Sequence, residues 1–316
     1  MFELIFLGTS ASAPSAHRGL SAHVLLYRQH RFLIDCGEGT QRQILRSRLG
    51  FKRLNKILLT HSHLDHILGL GGLVSTLARW DAMEDIEIYG GASTLQRVRD
   101  LLYRVVLRGN RTPVDIKFIP VKPGDVLVED KHFTLTAFEV QHRGPDCLGF
   151  VFEEKTRRPF LAEKADALGV PIGPERGQLV AGRTVTLADG SAITPDMVLG
   201  EEIQGTKYVH IGDIGRTKPI LDICRNAHAL TIEATYTDED RDMARQFGHM
   251  TAAGAAQFAK DAEIGTLLLT HISRRYFERD IRREARAIFP DSYVARDFDH
   301  IQITKDGVTQ NNLLAS

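Results

Sequence analysis

The sequence predicts an α/β protein interrupted by an inserted, Gly/Pro-rich segment. Three observations predict it. Short apolar, β-branched stretches alternate with stretches of helical spacing along most of the 316 residues. Residues 154–206 break the alternation with four prolines (159, 171, 174, 195) and seven glycines. Several strand-like stretches run straight into a histidine or an aspartate, at His61, His142, Asp213 and His271.

In order, residues 2–7 read as a first strand ending at Gly8. Residues 23–27 and 31–34 read as a hairpin pair around Gln29 and His30. Asp35-Cys36-Gly37-Glu38-Gly39-Thr40 is a glycine-rich turn opening a helix to about Arg48. Residues 56–60 have the pattern of a buried strand. Residues 64–79 read as one helix and 86–89 as a strand. Apolar residues at Leu95, Val98, Leu101, Leu102, Val105 and Val106 give residues 93–107 helix spacing. Residues 116–120, 125–128, 133–140 and 149–153 read as strands. Within the insertion, Asp189-Gly190 between short apolar stretches signals a hairpin over 184–193. Strands return at 207–211, 229–233 and 266–270, with helices at 251–262 and 277–288.

Composition excludes several classes. The apolar share is 43% and the charged share 25%, ordinary for a globular protein. Forty basic residues balance forty acidic ones, so any nucleic-acid site must be a local patch. Cys36, Cys147 and Cys224 are odd in number and form no C-x-x-C pair, which points to a reducing cytosol and not to a disulfide framework. Glu3 sits where a signal peptide wants positive charge, and no apolar run reaches the roughly 20 residues of a membrane span.

The chemistry concentrates in His61-Ser62-His63-Leu64-Asp65-His66, directly after the strand 56–60. Imidazole and carboxylate are what zinc takes when thiolate is absent. An extended H-x-H brings two imidazoles to one ion. Asp65 and His66, at the turn into the next helix, point elsewhere and can serve a second.

On these residues the chain resembles the metallo-β-lactamase superfamily and, within it, the ribonuclease Z family of tRNA 3′-processing endonucleases. The narrower resemblance rests on Leu7-Gly8-Thr9-Ser10, Asp35 to Arg42, Gly212-Asp213, Glu233-Ala234-Thr235, Gly248-His249 and Leu269-Thr270-His271 with Ser273, Arg275 and Tyr276. It implies His61, His63 and His142 on one ion, Asp65, His66 and His271 on the other, and Asp213 shared. It also implies two zinc ions per chain, with manganese or another divalent metal as the alternative, and a homodimer. With the strand-then-ligand spacing, it makes the expected fold a four-layer αββα sandwich (the metallo-β-lactamase fold) of two similar halves, with ligands on loops at one edge of the sheets.

Such a site hydrolyses phosphodiesters, leaving in this family a 3′-hydroxyl on the tRNA and a 5′-phosphate on the trailer. Asp65 is expected to orient the nucleophile. His249 is the expected proton donor, with Glu233 as the carboxylate that holds it. The family's His-Glu-Ala-Thr and His-Ser-Thr clusters stand here as Ile232-Glu233-Ala234-Thr235 and His249-Met250-Thr251. Gly19, Ile214 and Gly215 also depart from the family pattern and border the presumed substrate cleft. The other seven histidines read as caps, turns or surface.

The insertion lies where ribonuclease Z carries its tRNA-gripping arm, and 169–174 resembles that arm's Gly/Pro stretch. Arg157, Arg158 and Lys164 are its candidate substrate contacts. Six basic and eight acidic residues give the segment a net charge of −2. The resemblance therefore leaves two rivals at this stage, a hydrolase of another phosphodiester or small ester and a non-catalytic RNA-binding relative.

Overall fold

The computed structural model describes residues 1–80, 84–108 and 114–313. Contacts divide the chain into two compact units, Met1–Glu153 with Thr206–Ser316, and Glu154–Gly205.

The larger unit is built on two sheets. The first has eight strands, in spatial order Gly307–Asn312, Asp299–Thr304, Phe2–Gly8, Ala22–Tyr27, His30–Ile34, Lys56–Leu58, Asp85–Gly90 and Asp115–Pro120. The second has seven, in order Ser292–Val294, Thr266–Thr270, Ala229–Glu233, Lys207–His210, Leu148–Glu154, Phe133–Glu139 and Val126–Glu129. Each contains a run of four parallel strands, from His30–Ile34 to Asp115–Pro120 in one and from Lys207–His210 to Ser292–Val294 in the other. The two halves therefore correspond.

Strand periodicity explains the layering. Phe2, Leu4 and Phe6 point between the sheets, where they meet Phe150, Phe152, Tyr208 and Leu268. Ile5 and Leu7, on the opposite face, join Leu73, Val74, Leu77, Leu95 and Val98 of the helices Leu70–Trp80 and Ala92–Asp100. On the outer face of the second sheet, Val209, Leu230 and Leu269 pack on Ala255, Ala256, Ile281 and Ala285 of Ala252–Asp261 and Glu278–Ile288. The result is four layers, αββα. Parallel strands covered on both faces need apolar residues on both, and 229–233 and 266–270 have them.

Two expected helices differ. The one expected over 64–79 is split into Leu64–Ile67 and Leu70–Trp80. Its backbone dips at Gly69 to donate to Cys36 O (2.9 Å), while Cys36 N donates to His66 O (2.7 Å). A Cβ at Gly69 would lie 2.0 Å from Gly37 O, so only glycine permits the approach. The one expected over 93–107 is α-helical over Ala92–Asp100 and continues as a π-helix over Leu101–Val106.

The smaller unit carries three short helices, Ala162–Ala167, Pro174–Val180 and Pro195–Val198, and the hairpin Val185–Thr186 with Ala192–Ile193. Ala165, Val170, Leu179, Val185, Ile193 and Val198 form its own small core. Gly190, in the left-handed region, turns the hairpin.

Candidate metal centre

Parallel strands deliver the site. His61 follows Lys56–Leu58, Asp213 follows Lys207–His210, and His271 follows Thr266–Thr270, each at the carboxyl end of its strand. Glu233 ends Ala229–Glu233, and His142 follows Phe133–Glu139. Open sheets collect ligands at this edge because strand ends stop together while the following loops are free to vary.

These side chains converge. One ligand atom each from His61, His63, His142 and Asp213 lies within 4.8 Å of the others, and so do atoms of Asp65, His66 and His271. Asp213 is shared between them. Its Oδ2 stands 3.6 Å from His61 Nε2 and 3.7 Å from His142 Nε2. Its Oδ1 stands 3.4 Å from His66 Nε2 and 3.3 Å from His271 Nε2. Asp65 Oδ2 lies 3.3 Å from His271 Nε2 and 3.8 Å from His66 Nε2.

The donor set fits divalent cations. His61 Nε2, His66 Nε2 and Asp213 Oδ1 are buried without a hydrogen-bond partner. An unpaired buried polar atom costs about 1–3 kcal/mol. Three converging on one space are accounted for by cations that accept their lone pairs.

The outward nitrogens set the tautomers. His66 Nδ1 donates to Asp35 Oδ2 (2.7 Å), His142 Nδ1 to Gly248 O (2.7 Å) and His271 Nδ1 to Thr235 Oγ1 (2.8 Å). His61 Nδ1 donates to Thr60 Oγ1 (3.0 Å), which donates in turn to Asp35 Oδ2 (2.8 Å). With Nδ1 protonated, each of these four rings presents a bare Nε2 inward. His63 faces inward by Nδ1, which is 3.4 Å from His142 Nε2. Asp35, Thr60 and Thr235 have no assigned role in the sequence reading. Their signal was their place at strand ends inside the very motifs that carried the resemblance.

Charges within the cage oppose one another. Burial holds His61 well below the usual imidazole range, and the neighbouring His66 adds to this. Burial also works against protonated His66, but Asp213 and Asp35 outweigh it and raise that ring well above its ordinary value. Burial works against the Asp213 carboxylate too, and His271 and His66 overcome it, holding it well below the carboxylate range.

His249 stands beside the cage, its ring 5.0 Å from that of His142 and 5.6 Å from that of His271. Its Nδ1 lies 3.0 Å from both Glu233 oxygens. Burial lowers its proton affinity, but Glu233 prevails and lifts the ring to about 9. Glu233 is fully buried and also accepts from Ile214 N (2.7 Å) and Thr235 Oγ1. The departure at Ile214 thus leaves the Glu233 contact intact, because the backbone makes it.

The sequence-predicted substrate residues lie in the other unit. Arg157 and Lys164 are exposed there. Arg158 is engaged internally, by Asp196 at 2.6 Å and Gly200 O at 2.8 Å. Of the histidines read as caps, turns or surface, His23 and His210 are instead buried between the sheets, with rings 5.0 Å apart.

A β-lactamase superfamily domain matches residues 30–199 and 184–272. Over 303 residues the chain is 47% identical to a ribonuclease Z of Bradyrhizobium diazoefficiens, covering 96% of this chain and 100% of that one. A ribonuclease Z of Archaeoglobus fulgidus is 35% identical over 309 residues, covering 97% and 99%. The crystal structure of human tRNase Z, short form, superposes with a TM-score of 0.66 at 28% identity, covering 95% of this chain and 99% of that one. The chain belongs to the ribonuclease Z family of the β-lactamase superfamily.

Proposed function

We propose that His61, His63, His142, Asp65, His66 and His271, with Asp213 shared, hold two divalent ions, zinc by donor type, at which the 3′ trailer of precursor tRNA is cut. Family membership makes the chain a metal-dependent tRNA 3′-processing endonuclease. The observation that carries the ligand assignment is the division of Asp213, one oxygen facing each histidine group.

When bound, the ions supply a nucleophile at neutral pH and neutralise charge on the transferring phosphate. The chain's own residues do the rest. Asp65, tied through Oδ2 to Ser12 N (2.9 Å), is the cage carboxylate that reaches solvent and orients the attacking water. Glu233 fixes Nδ1 of His249 and favours its imidazolium. That leaves the Nε2 proton of His249 for the departing 3′-oxygen of the tRNA.

The smaller unit is the proposed exosite for tRNA, through Arg157 and Lys164, with Arg158 bracing it. A homodimer and a cytoplasmic site of action complete the reading. Support for the second is that all three cysteines are free and buried. Among the described residues no helix is long and apolar enough to cross a membrane.

The test compares His249→Ala with the wild-type enzyme on precursor tRNA and on bis(p-nitrophenyl) phosphate. A proton donor matters for the poor leaving group and little for p-nitrophenolate. The expected loss on tRNA is about 10²–10⁴-fold, with metal content unchanged. Equal losses on both substrates would remove the acid role.

A further inference from the structure

The loop that leaves His271 carries a feature the metal chemistry does not use. Phe277 is 69% exposed, the second most exposed large apolar side chain among the described residues after Ile172. A single exposed apolar residue is ordinary. This one stands among cations. Arg274, Arg275 and Arg279 are all exposed, and among the described residues none has a carboxylate partner. The acids that would neutralise them are engaged elsewhere: Glu278 by Arg18, Arg282 and Arg296, and Asp280 by Arg283.

The loop is held firmly. Ile272 N donates to Thr9 O (2.9 Å), and Ala11 N donates to Ile272 O (3.1 Å). Tyr276 N donates to Ser273 O (3.3 Å), and its hydroxyl donates to Asp240. Arg279 lies over the Phe277 ring at 4.9 Å. The residue is otherwise largely exposed to solvent.

The loop starts at His271, a proposed metal ligand. Phe277 is six residues from His271, a span of at most about 20 Å. Between them, the charge of Arg275 acts on Tyr236, whose ring is 6.0 Å from that of His249.

We propose that Phe277, flanked by Arg274 and Arg279, is a stacking platform for an unpaired nucleotide next to the scissile phosphodiester. The inference rests on the endonuclease reading above. Every base offers a π-face, so an aromatic ring beside free guanidinium groups holds single-stranded RNA with little regard for sequence. That suits a substrate whose trailer varies. A base stacks on the exposed ring, and Arg274 and Arg279 meet the adjoining phosphates. The base comes from the tRNA side of the cut or from the trailer side.

The test measures kcat/KM of Phe277→Ala, Phe277→Leu and Phe277→Trp on three precursor tRNAs. One is intact, one lacks the base 5′ to the cut, and one lacks the base 3′ to it. On the intact precursor, Phe277→Ala and Phe277→Leu should each lose about tenfold. Phe277→Trp should stay within about threefold of wild type. The loss in Phe277→Ala should vanish on one abasic substrate only, and that substrate names the stacked base.

Full activity of Phe277→Ala or Phe277→Leu on the intact precursor would overturn the proposal. So would a tenfold loss that persists on both abasic substrates. A lower sedimentation mass for Phe277→Ala would make the ring part of a protein interface instead. A wild-type enzyme that leaves precursor tRNA uncut would overturn the endonuclease reading and this inference together. One that cuts it but is indifferent to Phe277 overturns the inference alone.

Discussion

Four of the five imidazoles proposed as ligands, those of His61, His66, His142 and His271, are fixed by what their other nitrogen touches, and those contacts reach across the sequence. His66 depends on Asp35, His61 on Thr60 and through it Asp35, and His271 on Thr235. Asp35 therefore orients two rings on the two sides of Asp213. Asp35→Asn keeps the shape and tolerates the left-handed backbone at this position, where φ is 56°. It should lower metal affinity about 10–100-fold without unfolding the protein. Competition with a chelator would measure this, and unchanged affinity would deny Asp35 its role. His249 gives a pH prediction. It donates only while protonated, so the rate falls as pH rises through its folded value, about 9 without ions. Bound dications repel its charge, so the limb should fall at or below about 9. The pH profile of His249→Ala should lack that limb. His61, His63, Asp65 and His66 were legible because H-x-H-x-D-H packs them into one short motif, whereas His142, Asp213 and His271 came from the resemblance. Asp35, Thr60 and Thr235 were not legible, because an aspartate after a strand reads as a turn and a strand threonine reads as β propensity.

At the scale of elements, short apolar, β-branched stretches placed most strands, and the stretches read as helical placed Leu70–Trp80, Ala92–Asp100, Ala252–Asp261 and Glu278–Ile288, while short helices such as Arg241–Phe247 were not expected. The misses have physical causes. Residues 64–79 keep helical spacing throughout, and the break at Gly69 comes from a backbone contact with 36–37, which no local pattern records. Gly69→Ala should cost about 2–4 kcal/mol, since the new Cβ meets backbone and cannot be relieved by a rotamer change. Gly177→Ala is the matched comparison. It lies within the helix Pro174–Val180 with nothing inside 4 Å of the added Cβ, and should be neutral or mildly stabilising. Thermal melts of the two would separate steric contact from glycine entropy, and an unchanged melting temperature for Gly69→Ala would contradict the account of the break. The strands Asp299–Thr304 and Gly307–Asn312 formed no part of the sequence expectation. Ile301 and Ile303 alternate with His300, Gln302 and Thr304, so the first of them carried a signal in plain view.

For the molecule as a whole, zero net charge left the nucleic-acid role undecided by composition. The match to relatives over nearly the full length decides it. The segment Glu154–Gly205 forms a unit with its own core, and the strands that precede and follow it in the chain, Leu148–Glu154 and Lys207–His210, pair antiparallel with Glu153 opposite Lys207. A short turn can therefore replace it. Deleting the segment should raise KM for precursor tRNA strongly and spare hydrolysis of a small phosphodiester, the signature of binding energy remote from the chemistry. Unchanged tRNA cleavage would make the segment a lid or an oligomer element. On the proposed assignment, seven side chains from the two corresponding halves close around two divalent ions. Elemental analysis of the purified wild-type protein checks this assignment. Two transition-metal ions per chain are expected, with loss of metal and activity in Asp213→Ala; a protein that carries none, and gains no hydrolysis when metal is added, would refute the two-ion site.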